Sequence, residues 1–519
     1  MRGSASPVRF LRTAGELYPG KTAIVCGEHR FTYREYCERA NRLANALLSL
    51  GVRGGDRVAY LGYNCHTLLE AYYGVVQAGA VLTPLNIRLR PEDFSYIVNH
   101  AEARVILVHA DFVPAIEKVR KQLASIRNYI IIGQDGVNGY LDYEELLEAA
   151  SPEYYVDPLM SENDPAELFY TSGTTGKPKG VMLSHRNLYA NALNFIVSLD
   201  LRGNDVLLHT IPLFHVNGWG TPHALTYLGG THVMIPKFDT RVVLRLIDQE
   251  KVTICCLVPT MAGALVNDPA VDSCDLSSLK KMVVGGAASP VSLVEQVEEK
   301  IGCTFIASYG LTEASPVVAN GILKEHLRGL PPPVRRRFQA RPGLPVIGIE
   351  TRIVGRDGRD VARDDTEAGE LIVRGDTVML GYWRDPEATS RVIVDGWLHT
   401  GDIACVDREG YLRIVDRSKD IIISGGENIS SLEVENALYA HPAVLEAAVV
   451  GVPDARWGEI PKAFIVLKDA SVPVTIEEIT AHCKSLLAGF KVPRRVEFVT
   501  ELPKSGTGKI MKSALRAKE

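Results

Sequence analysis

Residues 170–180 read YTSGTTGKPKG. This stretch holds Gly173, Gly176 and Gly180, the hydroxyls of Thr171, Ser172, Thr174 and Thr175, and two lysines, Lys177 and Lys179. Successive backbone N–H groups in a Gly-rich turn make a concave nest for anions, and hydroxyls and ammonium groups add donors. Glycine allows φ > 0 and a close backbone approach to the guest. A polyphosphate is the natural guest. The pattern is not the NTPase P-loop, which needs GxxxxGK[ST], because Pro178 follows Gly176-Lys177 and the glycine spacing differs. The flanks AELFY and GVMLSH both read as short strands. The loop is therefore expected to join two strands, with hydroxyls and lysines doing what a helix dipole does elsewhere.

Working outward, the 519-residue chain is too long for one core, so two or more domains are expected. With 46% hydrophobic and 23% charged residues it is globular. A net charge of −5 gives no argument for nucleic acid or an anionic membrane as partner. The nine cysteines are odd in number and contain no CxxC pair, which points to reduced thiols and away from a disulfide framework or zinc site. The N-terminal MRGSASPVRFLR lacks an apolar core, so no signal peptide is read and the expected location is cytoplasmic. The longest apolar window, 252–266, is too short to cross a bilayer and contains Pro259.

The first half alternates helix and strand patterns. Residues 32–50 carry apolar positions at helical spacing with Gly51 as a C-cap, and RVAYLG, a helix over 66–78 and AVLTPLN make a βαβ unit. The alternation recurs through VLLHTIPL, THVMIP, TICCLVP and KKMVVGGAA, with helices at 221–227, 240–250 and 291–300 between them. After Gly348 the strands IETRIV, GELIVRG and GYLRIVDR, separated by Asp-Gly and Glu-Gly turns, suggest a β-rich or barrel-like subdomain. From about Asp416 a further α+β unit follows. The basic cluster VRRRFQAR at 334–341 reads as a solvated loop.

Other segments supply what a phosphate loop lacks. YGLTE (309–313) sets an aromatic ring, a hydroxyl and a carboxylate just after the strand CTFIAS. Tyrosine can cover a purine, threonine can bond a phosphate oxygen, and glutamate can hold Mg²⁺, which prefers oxygen ligands. GGAA (285–288) ends another strand with small residues, against which a flat ring could lie. WLHTGD (397–402) ends in a carboxylate suited to a ribose diol.

Taken in order, YTSGTTGKPKG, YGLTE, WLHTGD, GYLRIVDRSKDIIISGGENIS and PKSGTGKI resemble the adenylate-forming superfamily over essentially the whole chain. That group holds acyl-CoA synthetases, peptide-synthetase adenylation domains and luciferases. LPKSGTGKI, GENISSLEVE and PLFHVNGWG are similar to its fatty acyl-CoA synthetase branch. The resemblance implies an α/β fold: a large N-terminal domain (1–417) of two helix-flanked sheets plus a distorted β-barrel, and a small mobile α+β C-terminal domain (418–519). It implies ATP, Mg²⁺ and coenzyme A as cofactors, and a carboxylic acid as substrate. By the same implication the acid would be converted to acyl-AMP and pyrophosphate, then passed to CoA with release of AMP.

The same resemblance assigns roles. Thr171, Ser172, Gly173, Thr174, Thr175, Gly176 and Lys179 would hold the β,γ-phosphates. Thr312 would contact the α-phosphate and Glu313 would bind the metal. Gly286, Ala287, Ala288, Ser308, Tyr309 and Gly310 would frame the nucleotide base, with Asp402 and Arg417 on the ribose. Lys509 would bridge the ribose and the carboxylate. Lys419 would be the hinge, and Gly425 and Gly426 would approach the pantetheine arm. Phe214, His215, Val216, Gly218, Trp219, Val283, Gly285 and Pro316 would line the acyl pocket. Amino-acid-activating relatives carry Asp where this chain has His215, so an anchor for a substrate ammonium is missing; His215 reads equally as a packed core histidine.

Trp219 resembles both the gate tryptophan of long-chain enzymes and the tryptophan of relatives taking short, thioether or aryl acids. As a filled volume it predicts short- to medium-chain or compact acids. An acyl-AMP ligase loading a carrier protein is the nearest alternative, but the insertion usual in such relatives is not seen. A non-catalytic adenylate-binding protein would be expected to lose Glu313 or Lys509, and both are present. Neither GxSxG nor HExxH occurs. No nucleic acid or integral membrane partner is expected, and a homodimer is left open.

Overall fold

The computed structural model describes residues 5–134, 136–171, 177–454, 456–469, 471, 473–504 and 510–517. Local signals set the helices. Tyr33–Ser49 starts at a capping box: the Thr32 hydroxyl accepts from the Glu35 N–H at 3.2 Å, and the Glu35 carboxylate accepts from the Thr32 N–H at 2.7 Å. Its buried face sends Tyr36, Ala40, Leu43 and Leu47 into the core. The expected helices at 240–250 and 291–300 are present as Thr240–Glu250 and Val291–Lys300.

Two large sheets organise the N-terminal domain. One has nine strands, six of them parallel: Thr304–Gly310, Lys281–Gly285, Ile254–Leu257, Val206–His209, Thr231–Met234 and Thr22–Cys26. The other has eight strands. In it Arg57–Leu61 and Val81–Pro84 pair in parallel, as the βαβ reading requires, and Pro165–Thr171 adds to Val81–Pro84. Crossover helices cover the faces, which is why these strands read as nearly continuous apolar runs. The segment 252–266 is a buried strand followed by the helix Pro259–Asn267, with Pro259 in its first turn.

The β-rich part after Gly348 is a five-stranded antiparallel sheet. Its strand Trp397–Val406 is launched by a two-residue Asp395-Gly396 turn with φ +50° and +79°, both left-handed as such hairpins require. The C-terminal domain packs Ser431–Tyr439 and Ile476–Leu486 on a further five-stranded sheet.

One expectation fails. The basic cluster is not a solvated loop but the helix Pro332–Gln339, with proline in its first turn. Arg336 meets Glu295, Glu298 and Glu299, and Arg335 and Gln339 also reach Glu298. Those glutamates lie at i, i+3 and i+4 on one face of Val291–Lys300, so they converge on one guanidinium. No described helix is long and apolar enough to cross a membrane, and no described cysteine is in a disulfide.

Candidate active site

The hairpin expected around 170–180 is formed by Pro165–Thr171 and Lys179–Ser184, antiparallel, with Thr171 opposite Lys179 and Tyr170 opposite Gly180. Ser172, Gly173, Thr174, Thr175 and Gly176 lie outside the described residues, as does Lys509. At the hairpin base, Lys179 Nζ sits 4.9 Å from the centre of the Tyr382 ring. The Tyr382 hydroxyl donates to Glu313 Oε1 at 2.9 Å. Lys179 and Glu313 are therefore linked through one ring. Burial, and then Glu313, raise the Tyr382 pKa, so it stays a donor. Sequence reading missed Tyr382, which follows Gly381 in an otherwise unremarked stretch.

Thr304–Gly310 and Lys281–Gly285 run parallel with Gly285 opposite Ser308, so GGAA and YGLTE emerge side by side at the carboxyl ends of adjacent strands. In open α/β sheets that is where ligands bind. Here Gly286 turns with φ +83°, Ala287 and Ala288 are exposed, and Ser308, Tyr309 and Gly310 are half-buried. Thr312 is buried and Glu313 half-buried in the short 3₁₀ turn Thr312–Ala314. Gly310 cannot be anything larger, since a Cβ there would lie 2.0 Å from the Pro316 carbonyl oxygen.

Asp402 is 2% exposed, and each of its oxygens has one partner. Its Oδ2 accepts from the Tyr309 hydroxyl at 2.5 Å, and its Oδ1 lies 2.9 Å from Arg417 Nε. Burial, then Asp402, hold the Tyr309 phenol well above its ordinary pKa. Burial opposes the Arg417 charge, but Asp402 and its neighbours outweigh that and raise its pKa. Each carboxylate oxygen carries a second lone pair, so a pre-aimed Asp402 can still accept from a diol.

Phe214, Val216, Gly218, Trp219, Val283, Gly285 and Pro316 are all buried, and His215 is half-buried. The segment between Val216 and Gly220 is unusual. Val216, Asn217, Gly218, Trp219 and Gly220 have φ of +39°, +42°, +55°, +70° and +84° in succession. Left-handed backbone costs a side-chain-bearing residue about 1–2 kcal/mol. The turn sets the Trp219 ring against Gly285: a Cβ on Gly285 would come 3.2 Å from Trp219 Cη2 and 2.8 Å from the Ser308 carbonyl oxygen. Gly285 is thus the residue that lets the ring cross the end of its strand.

Lys419 is exposed between two anchored neighbours, the Ser418 N–H donating to the Gly401 carbonyl and the Asp420 N–H to that of Arg417. Of the paired glycines, Gly425 (φ +61°) packs on Trp457, a Cβ there falling 2.7 Å from the ring, whereas Gly426 faces open space.

Fold and motif order define an adenylate-forming enzyme. The chain belongs to the AMP-binding enzyme family: residues 11–383 match the AMP-binding enzyme model, and residues 433–509 match the AMP-binding enzyme C-terminal domain. It is 40% identical to a long-chain-fatty-acid–CoA ligase of Thermus thermophilus, covering 98% of this chain and 94% of that one. It is also 40% identical to a feruloyl-CoA synthase of an Amycolatopsis species, over 98% and 97% of the two chains. Among solved structures, an anthranilate CoA ligase in complex with anthranoyl-AMP superposes with a TM-score of 0.92 at 32% identity, covering 100% of this chain and 98% of the other. The protein is an AMP-forming acid–thiol ligase with ATP and CoA as co-substrates and Mg²⁺ as the usual family cofactor.

Among the described residues no group of three or more His, Cys, Asp or Glu could hold a metal alone. Mg²⁺ keeps several waters and takes one or two carboxylates together with substrate phosphate oxygens. Glu313, oriented by Tyr382, fits that donor set.

Proposed function

We propose that this acyl-CoA ligase selects short- to medium-chain or otherwise compact acids, and that its motif residues act as the family resemblance assigns them. Thr171–Gly176 and Lys179 hold the β,γ-phosphates. Tyr309 and the GGAA turn frame adenine, Asp402 and Arg417 hold the ribose, and Thr312 contacts the α-phosphate. Glu313 would hold Mg²⁺, which when bound neutralises phosphate charge.

A carboxylate oxygen of the acid attacks the α-phosphorus, and the bond from that phosphorus to pyrophosphate breaks. The reaction is mostly positioning and charge neutralisation. Lys509 bridges ribose and carboxylate in this step. The thiolate of CoA then attacks the acyl carbon, and the carbon–oxygen bond to AMP breaks. Between the two steps the small domain, taken as 418–519 against 1–417, rotates at Lys419 so that Gly425 and Gly426 meet the pantetheine arm. Of these two, Gly426 has the room. A cytoplasmic enzyme is the reading that the reduced cysteines favour, and a homodimer is a further hypothesis that sedimentation would test.

The observation that carries the acid preference is Trp219, 7% exposed, with its ring over Gly285 where the acyl chain would extend. A second reading, an aryl-acid CoA ligase, is favoured by the likeness to the feruloyl and anthranilate enzymes. The test is exchange of labelled pyrophosphate into ATP across linear acids of two to sixteen carbons, branched acids and aryl acids, followed by thioester formation with CoA. Exchange should require an acid and peak with compact ones. A maximum at the longest chains would overturn the preference, and ADP formation would overturn the chemistry.

A further inference from the structure

The left-handed turn that carries Trp219 is tied to the protein interior by polar groups that no step of the reaction uses. Asn217 is fully buried, and its Nδ2 donates to Glu167 Oε2 at 2.7 Å. Glu167 is also fully buried, on the strand Pro165–Thr171, and its Oε1 lies 3.1 Å from His223 Nε2 in the helix Thr221–Leu228. On the far side, Asn191 Nδ2 donates to the Trp219 carbonyl at 3.1 Å, and Thr221 donates to that of Gly218 at 2.9 Å. The chain entering the turn is held as well: Asn64 accepts from the Leu213 N–H and donates to the carbonyls of His209 and Ile211, and Tyr72 donates to the Leu213 carbonyl.

A buried carboxylate is weak evidence of stability, because its desolvation offsets much of what its partners return. Here Asn217 Oδ1 is itself buried and lacks a hydrogen-bond partner among the described residues. Positive φ at Val216, Asn217 and Trp219 adds strain, at β-branched Val216 most of all, whereas Gly218 and Gly220 adopt it freely. Strain of this kind persists where the surroundings over-determine it, and it clusters at functional sites. What this arrangement fixes is the direction of one side chain, Trp219.

We infer that Asn217 and Glu167 are positioning residues for acid selection: they clamp the turn so that Trp219 is a fixed plug over Gly285 and not a moving gate. The inference rests on the compact-acid reading above and extends it. Glu167 touches neither acid nor nucleotide in this scheme and acts through Asn217.

The test compares kcat/KM for butanoate and dodecanoate in the full-length enzyme. Trp219→Ala is the reference for an open pocket. Asn217→Gly removes the anchor and, at φ +42°, adds no backbone strain. Asn217→Ser is an independent variant whose shorter side chain stops short of Glu167. Both should shift the ratio towards dodecanoate by roughly tenfold or more, since each methylene admitted gains about fourfold. Glu167→Gln keeps an acceptor for Asn217 and should retain the wild-type ratio. Relaxed selectivity in Trp219→Ala alone, with both Asn217 variants unchanged, would overturn the clamp while leaving the compact-acid reading standing. A wild type that already prefers dodecanoate and is indifferent to Trp219→Ala would overturn both.

Discussion

Asp402 and Arg417 face each other across two antiparallel strands, Arg417 Nε 2.9 Å from Asp402 Oδ1, while Tyr309 from the neighbouring sheet occupies Oδ2. Segments that lie 93 residues apart in the chain thus meet at one carboxylate. Under the proposed assignment, removing Asp402 would strip the ribose of its acceptor, and it leaves the Tyr309 hydroxyl without its partner. Hydrogen bonds to charged groups contribute about 1.5–3 kcal/mol each, so Asp402→Ala should raise KM for ATP by roughly ten- to a hundredfold. Tyr309→Phe should cost less, since it keeps the ring and the carboxylate. Initial rates against ATP concentration measure both, and an unchanged KM in Asp402→Ala would remove the ribose assignment.

The two half-reactions separate the role of Lys509, which lies outside the described residues. A cation bridging ribose and carboxylate meets charge that develops only during adenylation. Lys509→Ala should slow pyrophosphate exchange by roughly 10²-fold or more, the effect of deleting one transition-state donor. Thioester formation from supplied acyl-adenylate should change far less. Equal losses in both assays would make Lys509 a structural residue.

Much of this architecture was legible because local signals and global fold agree. The capping box at Thr32, the apolar strands of the parallel sheets and the hairpin flanks of 170–180 each point one way. What could not be read were contacts whose two halves lie far apart. Tyr382 orients Glu313 from 69 residues away, and Glu167 anchors Asn217 from 50 residues away. The left-handed turn was not read: Gly218 and Gly220 suit positive φ, but Val216 and Trp219 adopt it only because tertiary packing overrides their preference. The basic helix Pro332–Gln339 was misread although Pro332 and Pro333 stand in its first turn. The glutamates that hold it belong to another helix, Val291–Lys300.

His185 gives the fold an acid-sensitive element. It is buried at the first position of the helix His185–Ser198, with Nδ1 2.9 Å from the Ser6 hydroxyl, and burial lowers its pKa to about 4. Unfolded, the imidazole protonates near 6.5. Between these values the unfolded chain binds more protons than the folded one, so stability falls as pH falls from 6.5 and levels off below 4. At about pH 4.5 this single group should cost roughly 2.5 kcal/mol relative to neutral pH. His185→Gln removes the titration, so its stability deficit against wild type should shrink by about that amount between neutral pH and pH 4.5. Urea unfolding of both proteins at each pH measures it, and a deficit independent of pH would show that His185 does not titrate in this window.

Lys419 stands between residues that are held on both sides. Ser418 is bonded to Gly401, and Asp420 is bonded to Arg417 through its backbone and paired with Arg516 at 2.7 Å. Hinges are a few loop or element-end positions that absorb the φ/ψ change, and the exposed turn at Lys419 is such a position. Proline holds φ near about −65°, so Lys419→Pro should trap the small domain in one orientation. Acyl-adenylate should still form, as pyrophosphate exchange would show, whereas transfer to CoA should fall by roughly tenfold or more, the scale expected when a reacting group is mispositioned. Lys419→Ala keeps the torsion free and should retain both half-reactions, which separates rotation from loss of the ammonium group. Normal turnover of Lys419→Pro with CoA would move the pivot elsewhere in the chain.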